Sequence, residues 1–291
     1  MSEGMFNPYD AIRRIAKNGL DNQVKNPGDY VNEEGVLICG KCGEPRQKWI
    51  ELQGNTTCSK LLVIEMCKCE KDEEARRKKA EQDAKDMERI HRLRAASLID
   101  EKFENSTFEN FRINKYNERN LQLCKRYAER FDLMVEKNQG LVLWGDVGTG
   151  KSFAAACIAN SLLNRGVPVI MTSFVKLLEV IQSSYDQESD LLNRFGYAKL
   201  VIFDDLGAER GTDYALEKVY NIIDSRYRKK LPMILTTNLT LDEMKKERDI
   251  RYSRIYDRIF EVCYPMQFTG TSWRKREASK RFGEMESLLE G

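Results

Sequence analysis

The stretch "LVLWGDVGTGKSFAAACIANSL", residues 141–162, decides the fold. Four apolar residues lead into a glycine-rich turn, and the turn leads into an alanine-rich run of helical character. Gly145, Asp146, Val147, Gly148, Thr149, Gly150, Lys151 and Ser152 fit the spacing G-x-x-x-x-G-K-[ST] at every position. The glycines let backbone N–H groups converge on phosphate oxygens, and the helix that follows adds the positive end of its dipole. Lys151 is placed to reach the β/γ-phosphates, and the Ser152 hydroxyl to ligate Mg²⁺. These eight residues and Phe153 are the candidate ATP-binding residues. A glycine turn with an incidental Lys-Ser is the plainer alternative, and the strand before and helix after speak against it.

Working outward, short apolar runs recur at "VPVIM" (167–171), "LVIF" (200–203) and "PMIL" (232–235). Helical stripes lie between them, such as Phe174, Leu177, Leu178, Ile181, Tyr185 and Leu216, Val219, Tyr220, Ile223, Tyr227. Apolar strands alternating with amphipathic helices predict an α/β fold, a parallel sheet flanked by helices. "LVIF" ends in Asp204 and Asp205. Adjacent carboxylates suit a solvated strand end. After a phosphate loop, Asp204 is also suited to hold Mg²⁺ and Asp205 to orient the attacking water. Asp205 is shorter than glutamate, which predicts slow hydrolysis. "PMILTTNL" ends in Thr237 and Asn238, and the amide can orient the lytic water or cap the helix at "LTLDEM".

The N-terminal third is different. Five of the eight cysteines fall within residues 39–69. Cys39 and Cys42 form a C-x-x-C followed by glycine, and Cys67 and Cys69 form a C-x-C. In a reducing compartment such a cluster predicts metal rather than disulfides, and four thiolates suit a structural, tetrahedral Zn²⁺. Cys58 is the competing ligand, while His91 is read as an exposed helix residue. The apolar "KLLVIEM" between the pairs is a candidate strand. Residues 70–94 then hold eight acidic and nine basic residues, with Glu73–Arg77, Glu74–Lys78, Glu81–Lys85 and Glu88–Arg92 at i,i+4. Those pairs support a solvated connecting helix. The division expected is residues 1–69, a zinc-bearing module; 70–100, a charged helical linker; and 101–291, the nucleotide-binding domain.

The net charge of +2 excludes a strong overall field toward nucleic acid or membrane. The first twenty residues lack an apolar core and no long apolar run follows, so a cytoplasmic location without membrane contact is expected.

From residue 37 onward the chain resembles the AAA+ ATPases of the bacterial and phage replicative helicase loader type (DnaC/DnaI). The residues that carry the likeness are "GDVGTGKS", "LVIFDDLGAER", "ILTTNL", "SRIYDRI" and "SWR". The resemblance implies a five-stranded AAA+ sheet whose last strand lies near "FEVCYPMQF". It implies that Arg254 or Arg258 reaches a nucleotide bound by a neighbouring copy, with Arg258 favoured, and that Arg274 senses nucleotide within its own chain. The segment after the last strand is short for the helical lid of larger AAA+ proteins, so a minimal lid and weak homo-oligomerisation are expected. The resemblance also implies partners: a DnaB-type hexameric helicase held by the N-terminal part, and single-stranded DNA. An IstB-type transposition helper shares the ATPase motifs, although such helpers usually lack a cysteine module. A zinc-dependent DNA-binding adaptor with a silent ATPase is the remaining reading. The basic run "WRKREASKR" is a candidate contact patch or a solvated helix face.

Overall fold

The computed structural model describes residues 8–23, 25–53, 58–183, 193–208 and 213–290. The chain divides into two compact units, residues 1–85 and 86–291.

In the first unit, helix α1 (Pro8–Asp21) is followed by two short antiparallel strands, β1 (Tyr30–Val31) and β2 (Leu37–Ile38). A longer antiparallel hairpin pairs β3 (Gln47–Gln53) with β4 (Cys58–Ile64). The apolar run between the cysteine pairs is thus half of a hairpin, whose other strand, "QKWIELQ", is too polar to stand out in the sequence. Among the described residues its small core is Val36, Leu37, Ile38, Cys39 and Cys67. Units of this size commonly draw on a second source of stability beside such a core.

Helix α2 (Lys68–Ala96) crosses the division between the units. It contains no Gly or Pro and buries no residue, as its charge predicts. Glu74–Lys78 and Glu81–Lys85 close at 2.7 Å, and Glu88–Arg92 lies at 4.0 Å. The linker expected over 70–100 is nevertheless not uniform. Leu93 and Ile99 pack against the core of the second unit, and Arg94 donates to Asn160 Oδ1 at 3.2 Å and Asn164 Oδ1 at 2.6 Å. The compact second unit therefore begins at Asp86, earlier than residue 101. Sequence patterning missed this because the packing side chains are few and spaced among charges.

The second unit continues with α3 (Glu118–Glu129), α4 (Phe131–Glu136) and strand β5 (Gly140–Gly145). Helix α5 (Lys151–Asn164), strand β6 (Val169–Ser173) and helix α6 (Phe174–Ser183) follow. Next come β7 (Leu200–Leu206), α7 (Asp213–Arg228), β8 (Met233–Thr237), α8 (Leu241–Lys245), α9 (Ile250–Val262), β9 (Cys263–Phe268) and α10 (Trp273–Glu290). The five strands β5–β9 form one parallel sheet in the order β6-β7-β8-β5-β9. Its four strands β5–β8 are largely continuous apolar runs because both faces are covered, whereas the edge strand β9 leaves Tyr264, Pro265 and Gln267 exposed. One face packs on α3 and α5 around Leu143, Ile158 and Leu200, and the other on α6, α7 and α9 around Phe174, Phe203 and Ile259. The last strand lies where the resemblance put it. The side chains of Ile181 and Tyr185, and the Glu209–Arg210 end of "LGAER", lie outside the described residues.

Within this unit Arg226 is 1% exposed and donates to the carbonyls of Phe195, Ala198, Lys199 and Pro232. It ties the chain entering β7 to the chain entering β8, and burial draws its pKa down to about 10. No carboxylate meets it among the described residues; four carbonyl dipoles hold the charge instead.

Candidate functional site: a nucleotide cleft and a cysteine cluster

Strand order puts the ends of β5, β7 and β8 side by side, and the phosphate loop, the two aspartates and Asn238 hang from those ends, with Arg274 added from the start of α10. A cleft of about 580 Å³ opens there. Gly148, Gly150, Lys151, Ser152, Phe153, Asp204, Asp205, Asn238 and Arg274 all line it. They come from loops as far apart as residues 148 and 274, so only the sheet brings them together.

The loop has the shape its glycines permit. Gly148 has φ +80°, and a Cβ there would lie 2.1 Å from Ser272 Oγ. The Gly148 carbonyl accepts a hydrogen bond from Trp273 N at 2.9 Å, which docks the start of α10 onto the loop. Thr149 is buried and donates to the Asp146 carbonyl at 2.8 Å, while Val147 points to solvent. Those two side chains do not line the cleft; they shape the loop. Gly145 and Asp146 contribute carbonyls.

Lys151 is 5% exposed. Its ammonium donates to Gly145 O and Asp146 O, both at 2.7 Å, and to Asn238 Oδ1 at 2.8 Å. Burial lowers its pKa below the ordinary lysine value, with Asp205 and Asp146 pulling the other way. Asp204 Oδ1 accepts from Thr236 Oγ1 at 2.6 Å, and the same hydroxyl accepts from Asp205 N at 2.9 Å. A bulge in the β7–β8 pairing lies between Phe203 and Leu206, and Asp205 has φ +57°. A left-handed aspartate at a strand end is uncommon, and it turns one of two adjacent carboxylates out of the strand's alternation. Burial first, and then the charge of Asp204, raise the Asp205 pKa. The helix-capping role weighed for Asn238 falls to Thr240, which forms a capping box with Glu243 at the start of α8. Asn238 is left to Lys151.

Several lining residues had no role assigned from sequence: Lys102, Phe103, Asn110, Phe111, Arg112, Trp273 and Glu277. The aromatic signal in "FENSTFENFRI" was visible, but its destination was not. Phe111 meets Phe153 edge-on at 5.6 Å, and Arg112 pairs with Glu277 and lies 5.9 Å above Trp273. Aromatic side chains able to stack on a base thus line the same cleft as the cationic and polar groups suited to phosphates.

The arginines on α9 differ sharply. Arg258 donates to Asp224 Oδ1 and to Tyr220 OH, both at 2.7 Å, and its guanidinium lies 4.7 Å over the Tyr220 ring. Asp224 also holds Arg228. Arg258, the arginine favoured from the resemblance to reach a neighbour, is thus engaged within its own chain. Arg254, one turn earlier, is exposed. Arg274 opens α10 and faces Lys151 and Asp205 closely enough to shift both.

A model of the IstB-like ATP binding protein family matches residues 72–281. The chain belongs to that family. It is 27% identical over 187 residues to the replicative helicase loader DnaC of Escherichia coli strain K12, covering 62% of this chain and 73% of DnaC. The solved structure of DnaI superposes with a TM-score of 0.51 at 22% identity, over 59% of this chain and 95% of the solved chain. The DnaC helicase loader structure gives 0.50 at 21%, over 58% of this chain and 100% of that one. The second unit therefore has the fold of these loaders, the chain is homologous to DnaC, and its family is one of ATP-binding proteins. No helix among the described residues is long and apolar enough to cross a membrane.

In the first unit, the sulfurs of Cys39, Cys42, Cys67 and Cys69 all lie within 4.8 Å of one another. Cys39 and Cys67 are buried, and Cys42 and Cys69 are half-buried. Gly43, with φ +71°, closes the first turn by donating to Cys39 O at 2.9 Å. Backbone N–H groups of Cys69 and Glu44 draw the Cys42 thiol down to about 6. Burial pushes Cys67 up to about 12, and the bond to Cys42 first, then burial, pushes Cys69 up to about 11. A divalent cation bound among these four sulfurs would supply what the thiols need to ionise together. The donor set and spacing fit a four-thiolate metal. The side chain of Cys58 lies outside the described residues.

Proposed function

We propose that this protein is an ATP-dependent loader that delivers a DnaB-type hexameric helicase onto single-stranded DNA during replication. The observation that carries the reading is the cleft, with Lys151, Asp204, Asp205, Asn238 and Arg274 converging in a chain homologous to DnaC over 187 residues. In this reading Lys151 leaves its three acceptors and turns to the β/γ-phosphates. That movement frees Asn238 to hold the attacking water, and Asp205 accepts a proton from it. Ser152 and Asp204 would hold Mg²⁺, which neutralises phosphate charge when bound. Arg274 reads the nucleotide from its own chain. Arg254, not Arg258, reaches the nucleotide of a neighbouring copy and adds transition-state charge in trans. Cys39, Cys42, Cys67 and Cys69 hold Zn²⁺, which stabilises a small unit that captures the helicase.

Capture of a replicative helicase by the full chain, with and without ATP, tests this reading together with turnover in the presence of single-stranded oligonucleotide. ATP-dependent capture and DNA-stimulated turnover are expected. Turnover stimulated by DNA with no helicase capture would replace the loader with the second reading, an IstB-type transposition helper, which the family match favours. Binding of DNA without any turnover would leave the silent-ATPase adaptor.

A further inference from the structure

The cysteine pairs are separated by a hairpin, yet one buried side chain joins their surroundings. Arg46 stands at the start of that hairpin, 5% exposed. Its guanidinium pairs with Asp29 on one side and Glu70 on the other. Asp29 Oδ1 accepts from the N–H of Gly40, inside the Cys39–Cys42 turn, at 3.0 Å. Asp29 Oδ2 accepts from Asn26 N at 2.9 Å. Glu70 Oε2 accepts from the N–H of Cys67 at 3.2 Å. A continuous path thus runs from Gly40 through Asp29, Arg46 and Glu70 to Cys67. The fit at its first link is close: a Cβ on Gly40 would lie 2.1 Å from Gly28 O, beside Asp29.

We propose that Asp29, Arg46 and Glu70 form a clamp that positions the two cysteine pairs for one metal ion. This rests on the reading that the four cysteines hold zinc. The clamp is geometric in purpose. One guanidinium against two carboxylates leaves it acidic, so it is no counter-charge for thiolates. Arginine is required because its planar fork reaches two carboxylates at once, which a lysine ammonium does not do in the same geometry. The Asp29 side chain is 1% exposed and Arg46 Nε is buried without a partner, so the bridge persists for what it positions and not for its own net energy. Outer groups of this kind typically change metal affinity by about 10–100-fold.

The test uses the full chain loaded with zinc, or with Co²⁺ as a spectroscopic substitute. Arg46→Lys, Arg46→Met and Glu70→Gln are compared with wild type and with Lys48→Met, which removes only an exposed pair in the same hairpin. About one zinc per chain is expected in wild type and Lys48→Met, with slow release to a chromophoric chelator. Release at least about 10-fold faster is expected in the three clamp variants, with altered Co²⁺ ligand-field absorption, while hydrogen exchange in the β3–β4 hairpin stays unchanged. Release within twofold of wild type in Arg46→Lys and Glu70→Gln overturns the clamp. So does faster release accompanied by loss of hairpin protection and an unaltered Co²⁺ spectrum, which is the behaviour of a merely structural arginine. Wild-type protein that takes up neither metal overturns the zinc reading itself, a result distinct from both.

Discussion

Replacing Lys151 with alanine separates the phosphate role of this lysine from its place in the loop. In the structure its ammonium is held by two carbonyls at 2.7 Å and one amide oxygen at 2.8 Å, all neutral acceptors. Nucleotide exchanges these for phosphate oxygens. Two charge–charge contacts near 4 Å contribute about 4 kcal/mol each at an effective dielectric of 20. Giving up three hydrogen bonds from a charged donor costs about 1.5 kcal/mol each, the low end for such bonds because the acceptors are neutral. The difference, roughly 4 kcal/mol, corresponds to about a thousandfold in Kd. Calorimetric titration with ATP and Mg²⁺ measures it, with a thermal melt to confirm that the variant is folded. A folded Lys151→Ala protein that binds ATP within about tenfold of wild type refutes the reasoning, since a thousandfold loss is expected. The pH dependence has a defined sign. Burial places the Lys151 pKa below its ordinary 10.5, so the cation that phosphate needs is lost at a lower pH than usual. In that alkaline window the unfolded chain binds the extra proton. Stability of the nucleotide-free protein therefore rises with pH there while ATP affinity falls.

Asp205→Asn should bind ATP and stop turning it over. In wild type, because the Asp205 pKa is raised, turnover should fail on acidification at a higher pH than an ordinary aspartate implies, measured as a kcat profile. A mixture of Lys151→Ala and Arg254→Ala proteins should recover some turnover, whereas Arg258→Ala should instead lower the melting temperature by breaking its pairing with Asp224. No recovery at any ratio in a confirmed mixed oligomer would remove Arg254 from the trans role. Arg226→Met should cost about 3–5 kcal/mol of stability by denaturant titration, because four carbonyls lose their donor. A chain starting at residue 86 should bind ATP as the full chain does. One starting at residue 101 should be markedly less stable, since it lacks Leu93, Arg94 and Ile99.

Periodicity and local chemistry carried a great deal on their own. Residues 145–152 dictate a phosphate loop because backbone N–H convergence is a local property of glycines at that spacing. The parallel sheet followed from apolar runs that could satisfy no half-exposed strand. The two cysteine pairs announced a shared ligand set because soft donors in pairs have few other uses in a reducing compartment. Tertiary structure decided everything that depends on distance across the fold. Asn238 could have capped a helix until β8 was laid beside β5 and its amide met Lys151. Arg254 and Arg258 share a helix face and a motif, and only packing of α9 on α7 consumes one and leaves the other exposed. The boundary at residue 86 and the Asp29–Arg46–Glu70 bridge were equally hidden. A charged residue in sequence has no visible partner, because ion pairs 17 and 24 residues apart exist only once the intervening chain has folded back.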